Sequence, residues 1–420
     1  MDAYIDYNNF CSYVRSLNRE KEDSNKFLRN RLDLKFTFSK DQLDALKEEE
    51  RFNIWLKQYT DDAGKAEDAS FEFDCQLSRP LNEEEFFAPA DKSRLSAIYM
   101  LEGDEVQAIK DKGGLLVAPV GEELETLERV MIRYKDGDNE TQYSDDRISK
   151  TFSARAFKDW RHLECNEMPC TDIIIADRYF FSQKNYADLK NNVFPLLKIL
   201  MSQANGLDVN LVIFAEKTIK DKQCGTEFPI PLGRIYEDIQ GLSNVKPNVT
   251  FVDIHDNRIH GREIISNYLT IVSSNSFGAY FLPSRAEKGV ADTISLFSVV
   301  HPDVGQALRE EDIEELQKII DCGMYTVYGD GKSNFFTFSE NSLTEIRPLR
   351  TPIIGEIIQL HRDNGDNVCW EDAVTEHERF NDTSSEDFEV TRFEILDYTY
   401  NTNSKTKSQY PYFIYVKKLE

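Results

Sequence analysis

Apolar residues recur along the chain at distinct spacings, and each spacing predicts its own kind of element. Leu43, Leu46, Phe52, Trp55, Leu56 and Tyr59 return at near-helical intervals with charged residues between them, which reads as an amphipathic helix. Ser39 followed by Gln42 has the form of a capping box at its start. The polar segment 60–69 (TDDAGKAEDA) ends that helix, and Phe71, Phe73 and Cys75 then alternate as on a strand. The first hundred residues are therefore expected to be helical with one strand. From Arg94 the pattern becomes strand (95–101), helix (103–112, stopped by Gly113-Gly114) and strand (115–120).

The polar, turn-rich segment 136–150 reads as a boundary. Beyond it, Ile173–Phe181 (IIIADRYFF), Val209–Ala215 (VNLVIFA) and Val249–Ile254 are strands without a polar face. Between them, Tyr186–Gln203 carries Leu189, Val193, Leu196, Leu197 and Leu200 on one helical face, and Arg234–Leu242 is a second helix. Apolar strands alternating with amphipathic helices predict a sheet covered on both faces. Two more strands, Glu263–Ser266 and Leu269–Ser273, flank a turn at Asn267-Tyr268. Ala307–Ile320 is a helix ended by Gly323, and Gly329-Asp330-Gly331-Lys332 is a turn. Strands follow at 335–338, 353–360, 390–400 and 410–417, the last two forming a hairpin. The expected fold class is α/β. Its regions are 1–135 (α/β or helical), 150–305 (a mixed sheet flanked by helices) and 306–420 (a helix plus a β-rich C-terminal region).

Composition narrows the function classes. At 420 residues with 40% hydrophobic content, the chain has material for two or three packed domains. No apolar run is long enough to span a membrane, and MDAYIDYNNF lacks the basic and apolar regions of a signal peptide, so a cytoplasmic location is expected. The seven cysteines are scattered, which argues against a disulfide framework. Cys165 and Cys170 with His162 are half of a zinc set, but no second pair follows at a matching distance, so no metal or other cofactor is expected. The formal charge of −25 is uneven: residues 172–292 hold 14 acidic and 13 basic side chains, whereas 301–420 hold 24 and 12. Such a chain repels nucleic acid overall, and only a local basic cleft in the middle would bind it.

That middle contains the stretch HGREIISNYLTIVSSNSF, residues 260–277. Phosphodiester cleavage by histidine requires a nucleophilic imidazole, a fixed cation for the phosphate oxygens, and small polar groups to hold them. His260 and Arg262, two apart on an extended strand, point to the same face. Ser273, Ser274 and Asn275 end the next strand and bring hydroxyls and an amide to the same end. Each residue also has a structural reading. His260 beside Gly261 begins a strand, His255 and Asp256 close a turn, and Arg258 and Arg262 pair with Asp253 or Asp256 as a surface network. Residues 273–276 are an ordinary turn in that reading. Asp177-Arg178 at a strand end either lines the same cleft or forms a salt bridge. No Walker loop, nucleophile elbow or helical His-Glu-x-x-His occurs.

The stretch resembles the signature of the phospholipase D superfamily: His-x-Lys, four residues, Asp, then a strand ending in a Gly-Ser-x-Asn-like turn. Here His260 matches, Arg262 stands for the lysine, Asn267 for the aspartate, and Ser274 and Asn275 for the Ser and Asn. The element order from Asp172 to Phe281 is similar to one half of that fold. The resemblance implies a site built from two such motifs, but His361-Arg362-Asp363 lacks the pattern, so catalysis would need a homodimer. Arginine keeps the charge but has a planar fork, and Asn267 cannot act as the orienting carboxylate.

His255-Asp-Asn-Arg258 followed by EIISNYLTIVSS also looks like the phospholipase D-like C-terminal domain found after microtubule-interacting-and-transport domains and in bacterial relatives, whose catalytic pair is missing. That likeness implies a non-hydrolytic binding and assembly protein. Its degenerate cleft (Arg258, Arg262, Asn267, Ser274, Asn275) would engage a phosphate group or protein partner, in a bacterial intracellular setting and in anti-phage defence. The alternative is a dimeric, metal-independent nuclease or phosphodiesterase with His260 as nucleophile and Arg262 as phosphate clamp.

Overall fold

The computed structural model describes residues 1–17, 31–63, 71–77, 97–103, 106, 116–135, 141–144, 147–153, 156, 159–163, 170–181, 186–202, 208–216, 218–220, 227–229, 232–242, 245–254, 259, 261–279, 292–323, 325–349, 393–400 and 412–418. The fold is α/β, with one small parallel sheet and one large mixed sheet.

The small sheet contains β1 (Asp2–Ile5), β2 (Asp33–Phe36), β3 (Ile98–Met100) and β4 (Leu116–Ala118), all parallel, in the order β2-β1-β3-β4. Helix α1 (Tyr7–Ser16) follows β1. The strands expected at 95–101 and 115–120 are β3 and β4, whereas the expectation of helix with one strand before them is corrected by β1 and β2, whose four residues each are too few to show a two-residue period. Phe71–Cys75 is not a strand. It makes a single bridge, Lys35 to Glu72, while Phe71 and Phe73 pack against Phe36. The capping box forms, Ser39 with Gln42, at the start of α2 (Lys40–Ala45). The long helix breaks at a 3-10 turn, Leu46–Glu48, before α3 (Glu50–Ala63).

After α4 (Glu123–Glu128) comes a hairpin of β5 (Arg133–Lys135) and β6 (Thr141–Tyr143), and then β7 (Ser149–Ser153). The parallel centre of the large sheet is β8 (Asp172–Asp177), β9 (Asn210–Ala215) and β12 (Asn248–Asp253). Helix α5 (Tyr186–Leu200) follows β8. A small hairpin, β10 (Thr218–Lys220) with β11 (Glu227–Pro229), and α6 (Leu232–Gln240) follow β9. On one side β13 (Arg262–Ser266), β14 (Leu269–Ser273), β15 (Thr293–Ser298) and β7 add on antiparallel. On the other side, after α7 (Gln306–Asp321), come β16 (Thr326–Gly329), β17 (Leu343–Leu349), and the predicted C-terminal hairpin, β18 (Phe393–Tyr400) with β19 (Tyr412–Lys418). The full order is β18-β19-β17-β16-β12-β9-β8-β13-β14-β15-β7.

Side-chain alternation sends Ile173, Ile175, Leu211, Ile213 and Ile264 into one core with Val193, Leu196 and Leu197 of α5. It sends Ile174, Ala176, Val212, Phe214 and Ile265 into another with Ile313, Leu316 and Ile319 of α7. The sheet is covered on both faces, as its apolar strands predict.

Bonding continues across both expected boundaries. Leu116 N donates to Tyr268 Oη at 2.8 Å, and Ser298 Oγ to the Val130 carbonyl at 2.5 Å. Beyond residue 305, β16 pairs directly with β12. The expected strand at 335–338 does not form. The Asn334 backbone N–H and side-chain amide both donate to Asp172, and Ser333 Oγ accepts from Phe335 N and Phe336 N, so side chains replace a ladder there. The strand expected at 353–360 lies outside the described residues.

Candidate functional site

Parallel strands end on one edge, and antiparallel neighbours begin or finish there. At this edge β8 ends in Asp177, β9 in Ala215 and β12 in Asp253, while β13 begins with Arg262 and β14 ends with Ser273. Register places Arg262 directly across from Asp177, so their side chains lie on the same face.

Asp177 is fully buried. Its Oδ2 accepts from Ser276 Oγ at 2.8 Å and Phe277 N at 2.8 Å, and its Oδ1 accepts from Tyr179 N at 3.0 Å. Burial raises its pKa above the usual carboxylate range, opposed by these bonds and by the Arg262 charge. The Ser276 hydroxyl also lies 2.9 Å from the Tyr179 carbonyl.

Arg262 is partly buried. One terminal nitrogen donates to the Ser274 carbonyl at 3.2 Å, while Nε is sealed from solvent without a hydrogen-bond partner. Ser274 is exposed, and its hydroxyl is tied to the Thr293 backbone, accepting from N at 2.8 Å. The Asn275 backbone N–H donates to Ser273 Oγ at 3.2 Å.

Of the residues picked out in the sequence, Arg262, Ser274 and Asn275 therefore share this edge. Asn267 does not. Lying at the far end of β13, roughly 16 Å away by strand rise, it is fully buried. Its Oδ1 accepts from Thr171 N at 2.9 Å and Asp172 N at 3.1 Å, and its carbonyl accepts from Arg309 at 2.6 Å. It closes a buried turn and is not positioned beside Arg262. Arg258 and His260 lie outside the described residues. Arg178 does not pair with Asp177; its partner is Glu216, at 2.5 Å, and its guanidinium sits 5.3 Å from the Tyr179 ring centre.

Asp177 is the main support that the spacing of the 260–277 motif does not reveal, although its position at a strand end marks it. Its link to Ser276 spans 99 residues of sequence, beyond any local pattern.

The half zinc set does not assemble among the described residues. His162 Nδ1 bonds the Lys135 carbonyl, and the buried Cys170 thiol, whose pKa burial pushes up to about 12, faces the Asp172 carbonyl at 3.5 Å. Cys165 lies outside them. No group of three or more acidic, histidine or cysteine side chains suited to a metal occurs among the described residues. No described helix is long and apolar enough to cross a membrane.

No family model matches the chain, and no curated protein matches it. Solved structures are similar over part of it, two of them as follows. TrmBL2, an archaeal chromatin protein whose structure shows a novel mode of DNA binding, aligns at 9% identity and a TM-score of 0.23, over 43% of this chain and 54% of that one. Phosphatidylserine synthase from Haemophilus influenzae Rd KW20 aligns at 14% identity and a TM-score of 0.30, over 45% of this chain and 41% of that one. The chain thus spans about half the length of these two structures.

Proposed function

We propose that this chain is a non-hydrolytic binding protein whose phospholipase D-like cleft, at the edge where β8 ends and β13 begins, takes a phosphate-bearing group through Arg262. The observation that carries the reading is the under-used guanidinium. Of its five N–H donors, those of one terminal nitrogen meet the Ser274 carbonyl, the other terminal nitrogen has no hydrogen-bond partner, and Arg262 forms no ion pair with any described residue. A phosphate supplies several acceptor oxygens in the geometry that a guanidinium fork matches.

Asp177 supports the same reading, because its oxygens accept from Tyr179, Ser276 and Phe277 rather than from the cation. The Asn275 carboxamide makes no hydrogen bond with any described residue and belongs to the same strand end. The non-hydrolytic part rests on Asn267, which is spent on a buried turn and has no role in orienting an imidazole.

The test is binding of a labelled single-stranded oligonucleotide and of inorganic phosphate, with turnover of bis(p-nitrophenyl) phosphate measured in parallel. Arg262→Ala is expected to weaken binding by roughly tenfold or more, from loss of charge-assisted bonds, and Arg262→Lys to retain part of it. Neither the wild type nor His260→Ala is expected to turn the diester over. Metal-independent turnover abolished by His260→Ala would instead establish the phosphodiesterase, and binding indifferent to Arg262→Ala would remove the cleft from consideration.

A further inference from the structure

The small sheet has a separate edge, unrelated to Arg262. From β1 the chain passes to β2 on one side, and β3 then adds on the other, so the strand order changes direction between β1 and β3. Connections that diverge at such a switch point leave a crevice outside the C-terminal strand ends, the usual ligand position in open parallel sheets. Two carboxylates stand there, Asp6 just after β1 and Glu102 two residues after β3. Asp6 caps α1, its Oδ1 accepting from Asn9 N at 2.8 Å, and its Oδ2 accepts from Glu102 N at 2.6 Å. Asn8 Nδ2 donates to Glu102 Oε2. Neither acid has a basic side chain as an ion-pair partner among the described residues.

Those contacts alone describe a helix cap. The independent observation is Asn9, which is 0% exposed and whose Oδ1 has no hydrogen-bond partner. Its Nδ2 donates to Asp6 Oδ1 at 3.3 Å, which sets the carboxamide that bears the orphaned oxygen against the Asp6 carboxylate. A buried acceptor without a donor is rare and calls for an occupant. The occupant must satisfy oxygens only, two of them from carboxylates, with no nitrogen or sulfur ligand offered. We propose that the crevice formed by Asp6, Asn9 and Glu102 binds a hard divalent cation of the magnesium class. Magnesium is held by one or two carboxylates and keeps several waters, whereas calcium requires a fuller oxygen cage. Glu102 is exposed, which leaves the outer side of the ion open to water or a second ligand.

The test uses the full chain in 0.15 M salt with Mn²⁺ as probe, free ion being read by electron paramagnetic resonance and displacement by added Mg²⁺. Asp6 is left intact because it caps α1. Wild type is expected to take up one Mg²⁺-displaceable equivalent. Glu102→Gln and Asn9→Leu are each expected to weaken uptake at least tenfold, with unfolding temperature in EDTA showing that Glu102→Gln remains folded. Absence of uptake by the wild type overturns the proposal. So does uptake unchanged in Glu102→Gln, which would assign the ion to another acidic surface. Failure here leaves the Arg262 reading untouched, since the two edges belong to different sheets.

Discussion

Arg262 and Asp177 are cross-strand partners of opposite charge, yet they do not form an ion pair. Asp177 is held by Ser276, Phe277 and Tyr179, while Arg262 reaches past it to the Ser274 carbonyl. The acid organises the turn, and the base keeps unused donors.

This division of labour predicts that stability and binding separate by mutation. Asn267→Ala removes the acceptor of two buried backbone N–H groups and is expected to cost roughly 2–4 kcal/mol in urea unfolding, with phosphate affinity unchanged. Arg262→Ala is expected to do the reverse. Equal losses of affinity in both variants would show that the two strand ends are coupled.

Ser276→Ala deprives buried Asp177 of one donor. A loss of about 1–3 kcal/mol is expected, larger than for Ser274→Ala, whose hydroxyl is exposed. Chemical denaturation of the two variants side by side decides it.

Gly278 closes the same turn against the preceding one. A Cβ there would lie 1.9 Å from the Phe180 carbonyl oxygen, a backbone atom that cannot move aside alone. Gly278→Ala is expected to destabilise by roughly 3 kcal/mol or more. Gly121→Ala, where φ is +97° but no atom lies within 4 Å, should cost only about 1–3 kcal/mol of backbone strain. Melting curves that rank them the other way would contradict the packing around Phe180.

Glu263, on the α7 side of β13, has its pKa pushed up to about 7, first by burial and then by the nearby Asp312 charge. A carboxyl whose folded pKa is raised favours the folded state below its unfolded value and loses that advantage as pH climbs through the folded one. The contribution therefore falls between about pH 4.5 and 7. Burial also raises Asp172, Asp177 and Asp312, so their contributions have the same sign. Glu263→Gln is expected to be more stable than wild type above pH 7 and to flatten the slope between pH 5 and 8. Unfolding free energy measured across that range reads the difference directly, and parallel slopes would exclude Glu263 as a source.

Much of the central architecture was legible in residue order. β8, β9 and β12 show themselves as strands without a polar face, α5 and α7 as apolar stripes, and β18 with β19 as an alternating pair. Arg262, Ser274 and Asn275 fall at one edge because alternation and strand direction are local properties. β1, β2 and β16 escaped because four residues carry too little periodicity. Phe335 and Phe336 looked like a strand because their burial is real, although their backbone hydrogen bonds go to Ser333.

The sequence by itself determined which segments bury one face or two, and therefore the α/β class and the chemistry gathered near residue 262. Only the tertiary structure decided that β16 pairs with β12 across an expected boundary, that Ser276 holds Asp177, and that Asn267 is spent on a turn. Periodicity reports which face of a segment avoids water. The partner that covers that face is selected by burial and hydrogen bonding summed over residues far apart in the chain, which no local spacing encodes.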